Sequence, residues 1–409
     1  MDQVQELTER HTLGFTAGRW RFARLLAVNG LLTVITLGIY RFWAKTRVRR
    51  FLWHSATFLD DPLEYTGTGG ELFVGFLIVI SILFPLGLIY GAIQTLVPPE
   101  LFYVSLGLEG LYYLVLYALI QIAFYRMWRY RMSRTRWRGV RFGLDGSTMA
   151  YLRLAMGWSV VTLLTLGFAL PWMQIDLWRY QVRHTRLGDQ AFRFTGNAKS
   201  LLSAWLPVFI ASVCVAAIYG SFLYLIAQHT KEELSDFFNI NNTTLGWLIA
   251  LFVILNIAIW IGGFHYTIRR MRLQISGLEL GPARFHSALS FWRLFGFLML
   301  GIVLFIVAFG AISAAAAYFT GSGPWTLPRD GITPQLMKSF VAAWALMFFF
   351  LIFIGPFIWT LVYQFELIKQ LVATTQIENP HALESAAQVV SDSPRTGEGL
   401  ADALDIGGF

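Results

Sequence analysis

The chain alternates long apolar runs with short, strongly basic connectors. Leu72 to Val97, Leu201 to Gln228, Leu245 to Ile268 and Leu294 to Phe319 each exceed the ~20 residues that carry a helix across a ~30 Å hydrocarbon core. Phe102 to Tyr125 pairs with the first run across the link Pro98, Pro99, Glu100. Ser339 to Phe365 pairs with the last across a Gly/Pro loop, TGSGPWTLPRDGITP. The pattern predicts three apolar hairpins and six spanning helices.

Two further apolar segments carry a break. Leu31 to Trp53, LLTVITLGIYRFWAKTRVRRFLW, joins an apolar run through Thr36-Leu37-Gly38 to a helix bearing Arg41, Lys45, Arg47, Arg49 and Arg50 beside Trp43 and Trp53. Sixteen uncharged residues separate Arg24 from Arg41, about 24 Å of helix and too short for the core without snorkelling. The break returns as Thr165-Leu166-Gly167 within Leu163 to Arg183. Aligned at an offset of 129, Leu13 to Gly67 and Phe142 to Gly196 share about a dozen identities, including Arg24 with Arg153 and Trp43 with Trp172. Two copies in one orientation form a parallel repeat with a pseudo-twofold axis along the membrane normal.

Charge sets the topology. The connector from Arg126 to Arg141 holds seven arginines and no acid, which places it in the cytoplasm. If the basic stretches 41 to 50, 126 to 141, 179 to 199 and 269 to 284 all face that side, segments 22–40 and 151–172 must begin and end there. Both then read as re-entrant or interfacial helix hairpins bending at Thr36 to Gly38 and Thr165 to Gly167. The second is long enough to cross, so eight spans with one basic outer loop is the competing count. Both termini fall inside.

A shorter pattern precedes the membrane segments: an aromatic or aliphatic alternation ending in small residues and Gly. It appears as LGFTAG at Leu13, LEYTGTG at Leu63, VRFGLDG at Val140, FRFTGNA at Phe192 and LQISGLELG at Leu273. Alternation closing in Gly predicts short strands, some pairing into small sheets on the cytoplasmic face. Irregular entry loops are the plainer alternative. The fold expectation is an all-α polytopic bundle with short β-strands at that face. Its divisions are a polar leader 1–12, membrane repeats 13–140 and 141–272, a divergent third unit 273–375, and a polar, disordered cytoplasmic tail 376–409.

Composition narrows the function. Of 409 residues, 56% are hydrophobic and 14% charged, against about 25% charged in soluble domains; mean hydropathy is +0.56. The net charge of +8 lies beside apolar spans, so its partner is anionic lipid rather than nucleic acid. The single cysteine, Cys214, sits in an apolar run and provides neither a disulfide nor a metal site.

Candidate chemistry is sparse. Trp43, Lys45, Arg47 and Arg50, with Arg126, Arg129 and Arg131, combine forked phosphate donors with headgroup-depth indoles. They either bind lipid phosphate or simply anchor helices. Gln121, Asn256 and His265 are intramembrane polar exceptions that mark a pathway or an interhelical hydrogen bond. His54, Asp60, Asp61 and Glu64 match no recognised metal spacing. No phosphate loop, nucleophile motif or ATPase signature is present, and no cofactor is expected.

The words TLGIYRFWAKTRVRRFLW and LEYTGTGGELFVGFL resemble the YjgN-like family of bacterial inner-membrane proteins, grouped as domain of unknown function 898. The resemblance covers roughly residues 13 to 375. It implies a multi-pass inner-membrane protein and carries no catalytic residues. The expectation is therefore a non-enzymatic membrane protein forming a transport or permeation path. A non-transporting lipid-binding scaffold is the alternative, and a membrane enzyme acting on lipids the third reading. Any small-molecule substrate is unidentified, and a homo-oligomer is left open.

Overall fold

The computed structural model describes residues 10–228, 243–320, 341, 344–348, 350–384 and 386. Among these, six helices are long and apolar enough to cross a membrane: Gly69–Leu96, Pro99–Arg134, Ala198–Tyr224, Gly246–Ser276, Phe291–Ala315 and Trp344–Ala373. They match the six expected spans. The connector 229–242 and the Gly/Pro loop lie outside the described residues.

Among the described residues, ten helices form five consecutive pairs. They are α1 Arg19–Ile35 with α2 Arg41–Ser55, α3 Gly69–Leu96 with α4 Phe102–Arg134, and α5 Thr148–Leu164 with α6 Leu170–Arg183. Next come α7 Leu202–Gln228 with α8 Thr243–Ser276, then α9 Phe291–Thr320 with α10 Trp344–Ala373. The last helix widens into π turns at Phe350–Ile354 and Thr360–Gln364.

Each pair is flanked by short strands: β1 Arg10–Thr12, β2 Gly14–Phe15, β3 Ala56–Phe58, β4 Asp61–Tyr65, β5 Thr135–Trp137, β6 Val140–Leu144, β7 Thr185–Leu187, β8 Gln190–Phe194, β9 Leu278–Leu280, β10 Ala283–Ser287 and β11 Thr375–Glu378. The strand entering a pair bonds antiparallel to the strand leaving it: β2 with β3, β4 with β5, β6 with β7, β8 with β9, β10 with β11. Five backbone bonds repeat this clamp. Thr16 N–H donates to Ser55 O at 2.9 Å, Thr66 to Arg134 at 2.8, Asp145 to His184 at 3.1, Thr195 to Gly277 at 2.9 and Ala288 to Thr374 at 3.3. Both helices of every pair are therefore rooted on the same sheet.

Tight turns link one pair to the next. Leu59 and Asp60 between β3 and β4, and Arg138 and Gly139 between β5 and β6, hold consecutive positive φ values, the signature of a type I′ hairpin. The result is one eleven-stranded sheet rather than several small ones, ordered β1-β11-β10-β9-β8-β7-β6-β5-β4-β3-β2. The mostly helical expectation with short strands stands, and the expected small sheets are corrected to this single one. Because β1 and β2 are consecutive in sequence yet occupy the two ends of that order, the N-terminal segment draws the sheet nearly closed around Leu13, whose N–H donates to Thr375 O at 3.1 Å.

An apolar core fills this ring. Each odd-numbered strand from β3 onward contributes one residue to this cluster: Phe58, Trp137, Leu187, Leu280 and Ile377. Phe58 and Trp137 meet at 4.9 Å between ring centroids. Leu383, in the 3-10 turn Pro380–Leu383, covers the cluster. Two expectations change here. The leader's Arg10–Thr12 is a strand, and the tail is ordered through Glu384, because Ile377 and Leu383 bury apolar surface that no periodic run announces. Residues 387–409 lie outside the described residues. The fifth strand motif holds β9 at Leu278–Leu280 but starts too early. Leu273 belongs to α8, and the equivalent of FTAG and YTGT is Ser287-Ala288-Leu289-Ser290 after β10.

Candidate functional site: a cationic cavity on the first helix pair

The two Thr-Leu-Gly breaks fold alike. Gly38 N–H reaches Thr33 O at 2.7 Å and Leu37 N–H reaches Val34 O at 3.1; Gly167 and Leu166 repeat this with Thr162 at 2.7 and Leu163 at 3.0. For the first break these are the two bonds of a Schellman end, which terminates a helix in the left-handed region. Thr36 Oγ1 donates to Leu32 O at 2.8 Å and accepts from Tyr40 N–H at 3.0; Thr165 Oγ1 serves Val161 and Ala169 at 2.9 and 3.2. Leu37 and Leu166 sit at φ 50° and 51°, while Gly38 and Gly167 take 92° and 94°. The leucines are 94% and 79% exposed at the tips of their helix pairs.

The basic residues separate into distinct roles. Arg50 donates to Gly67 O at 2.8 Å, Arg129 to Gly146 O, and Arg179 to Gly196 O at 3.2 Å. All three stand six residues before a strand and grip the turn that opens the next pair; Arg272 and Lys369 occupy the same register. Close packing accompanies the grip. A Cβ on Gly146 would lie 2.2 Å from Tyr125 Oη and 2.8 Å from His184 Cγ. Arg129 also lies over the Tyr125 ring at 5.3 Å. Trp43 packs against Gly69 at the start of α3 and stacks on Tyr40 at 6.4 Å. Lys45 and Arg131 are half-buried, and Arg126 is exposed on α4.

Arg47 meets a cavity of about 440 Å³, lined by Arg21, Arg24, Leu25, Val28, Asn29 and Arg47. Positions 21, 24, 25 and 28 fall on one face of α1 by helical spacing, and Arg47 reaches in from α2. Its Nη1 donates to Tyr40 Oη at 2.7 Å and to Asn29 Oδ1 at 3.5 Å. Asn29 is buried and donates to Ala44 O at 3.4 Å. Among the described residues, none of the three arginines has a carboxylate at ion-pair distance. Glu366, which reaches α1 through Arg19, is already engaged: Arg19 holds it at 2.8 Å and Arg293 at 3.3 Å. Neither Arg21 nor Arg24 was among the ligand candidates expected from sequence, where Arg24 served only as a boundary and a repeat identity. The usable signal was two arginines at i and i+3 with no acid within a turn.

The intramembrane polar residues lie elsewhere. Asn256 is half-buried and donates to Phe252 O of its own helix at 2.8 Å. Gln121 is half-buried on α4; His265 meets Phe291 edge-on at 5.3 Å. None of them lines the arginine cavity. No group of three metal-type ligands occurs among the described residues.

On the far side of the ring, charges lock the C-terminal turn. Arg138 pairs with Asp61 and, at 3.0 Å, with Glu384. Those two partners raise the Arg138 pKa, and Arg138, followed by His381, lowers that of Glu384. Burial first, then neighbouring Arg136 and Arg134, lowers Arg141.

The family described as "Bacterial protein of unknown function (DUF898)" matches residues 10–318. The chain belongs to this family. Similar curated proteins are "Inner membrane protein YjgN" of Salmonella typhimurium, 34% identical over 140 residues, and its namesake of Escherichia coli K12, 33% identical over 87. These alignments cover 34% and 21% of this chain, and the chain spans only 32% and 22% of those relatives. No solved structure matches. With six helices able to cross a membrane, this family member is a multi-pass inner-membrane protein.

Proposed function

We propose that this protein is an inner-membrane scaffold: a cytoplasmic β-ring from which five helix pairs rise, three crossing the bilayer and two dipping into it, with anionic lipid engaged at the basic rim. The observation that supports it is the pairing of entering and leaving strands at the base of every helix pair, which returns each pair to one side. α1 has 17 residues, about 25 Å, so the first pair returns without crossing. Its tip carries a leucine in the left-handed region, a conformation costing about 1–2 kcal/mol in a non-glycine residue. Moving a leucine side chain from water into hydrocarbon yields about 1.5–3 kcal/mol, so the tip favours a bilayer interior. The repeated Arg50, Arg129 and Arg179 grips support descent of the pairs from a duplicated unit, and the arginine-rich rim supports a cytoplasmic ring and termini.

The scaffold reading gains over a solute path because the arginine cavity lies at the rim, whereas Asn256 satisfies itself within its own helix. Cysteine accessibility tests the topology. In a Cys214→Ser background, Ala191→Cys on the ring should react with an impermeant maleimide only after the inner face is opened, and Leu37→Cys should resist from both sides. Labelling of Ala191→Cys in intact cells would overturn the proposal.

A further inference from the structure

We propose that the cavity between α1 and α2 binds a lipid phosphomonoester, a headgroup close to two negative charges. This rests on the membrane reading above, because the ligand is drawn from the bilayer. Arg21, Arg24 and Arg47 bring three cations with no carboxylate among the lining residues. A phosphodiester, with one charge, would leave two of them uncompensated; a phosphomonoester carries about −1.5 to −2 at neutral pH. Guanidinium forks suit its three terminal oxygens. Arg47 is already oriented by Tyr40 and by buried Asn29, so it loses little side-chain freedom on binding.

The walls favour a lipid over free phosphate. Leu25 and Val28 line the same cavity as the arginines. Val28 is 46% exposed, and Leu31 and Ile35 continue the apolar surface toward the tip of α1. An acyl chain leaving the headgroup would follow that track; inorganic phosphate makes no use of it.

The third helix pair provides an internal comparison. At the offset of 129, Arg21, Arg24, Asn29 and Arg47 correspond to Ala150, Arg153, Trp158 and Asp176, and Asp176 pairs with Arg179. One arginine survives there and an acid replaces another. The site thus belongs to the first pair and not to the third.

The full chain in phosphatidylcholine nanodiscs doped with phosphatidic acid or phosphatidylglycerol, read by native mass spectrometry of retained lipid, tests this. The wild type should retain phosphatidic acid preferentially. Arg47→Asp, copying the third pair, should weaken retention about tenfold or more, and Arg284→Gln, at a ring residue paired with Glu279, should leave it unchanged. Equal retention of both lipids, or equal losses in the two variants, would overturn the proposal. Displacement by inorganic phosphate at matched concentration would reassign the cavity to a soluble anion, and overturn it as well. Should Arg47→Asp fail to fold, Arg21→Gln with Arg24→Gln, both on the exposed face of α1, carries the same comparison. Selective binding with the ring labelled from outside would sink the topology while leaving the site intact.

Discussion

Replacing Trp137 with alanine tests whether the ring is one cooperative unit. Trp137 is 3% exposed, packs on Phe58, and its Nε1–H donates to Phe58 O at 3.3 Å. Removing a buried tryptophan costs about 3–5 kcal/mol, from lost transfer energy and the cavity left behind. The site cannot collapse readily, because its neighbours are pinned by strand pairs on both sides. Hydrogen exchange of the β3 to β6 amides, followed by mass spectrometry in nanodiscs, reads the loss directly. If these amides exchange through ring opening, protection should fall by about two to nearly four orders of magnitude, at 1.4 kcal/mol per decade. Trp137→Phe keeps much of the volume and should recover most of it. Trp292→Ala, at a residue 77% exposed, should leave those amides unchanged. A loss below tenfold for Trp137→Ala would refute the ring as a packed core and leave the strands as independent hairpins.

Other consequences follow from named contacts. Gly146→Ala should destabilise the second and third pairs by about 1–3 kcal/mol through overpacking against Tyr125 and His184, whereas Gly70→Ala, with nothing within 4 Å, should be neutral; thermal unfolding in detergent distinguishes them. Leu13→Pro removes the bond to Thr375 and frees the edges of β3 and β11, so cross-linking should reveal association between chains that the wild type lacks. The Glu384 pKa is lowered, by Arg138 and then His381, so its contribution is present above the ordinary glutamate range of about 4.3 and is lost as pH falls through the depressed value. Proteolysis near residue 384 should accelerate only in acid, and in Arg138→Gln that acid dependence should shrink.

Length and composition of the apolar runs determined the six spans, because hydrophobic thickness is a local requirement that any one segment meets alone. The Thr-Leu-Gly breaks were equally legible: left-handed backbone, threonine back-bonding and glycine all act within six residues. The strand motifs FTAG, YTGT, LDGS and FTGN could be seen, but not their partners. Strands of two to five residues carry almost no periodicity, and their pairing joins segments as distant as Arg10 and Glu378, 368 positions apart. Only the folded chain decided that these fragments close into a single ring, and that Ile377 and Leu383 belong to its core rather than to a loose tail. It also divided the arginines. Sequence gives each the same charge, but a guanidinium bonded to a backbone carbonyl is fixed in a structural contact, whereas one facing an open cavity without a carboxylate is placed to meet an anion.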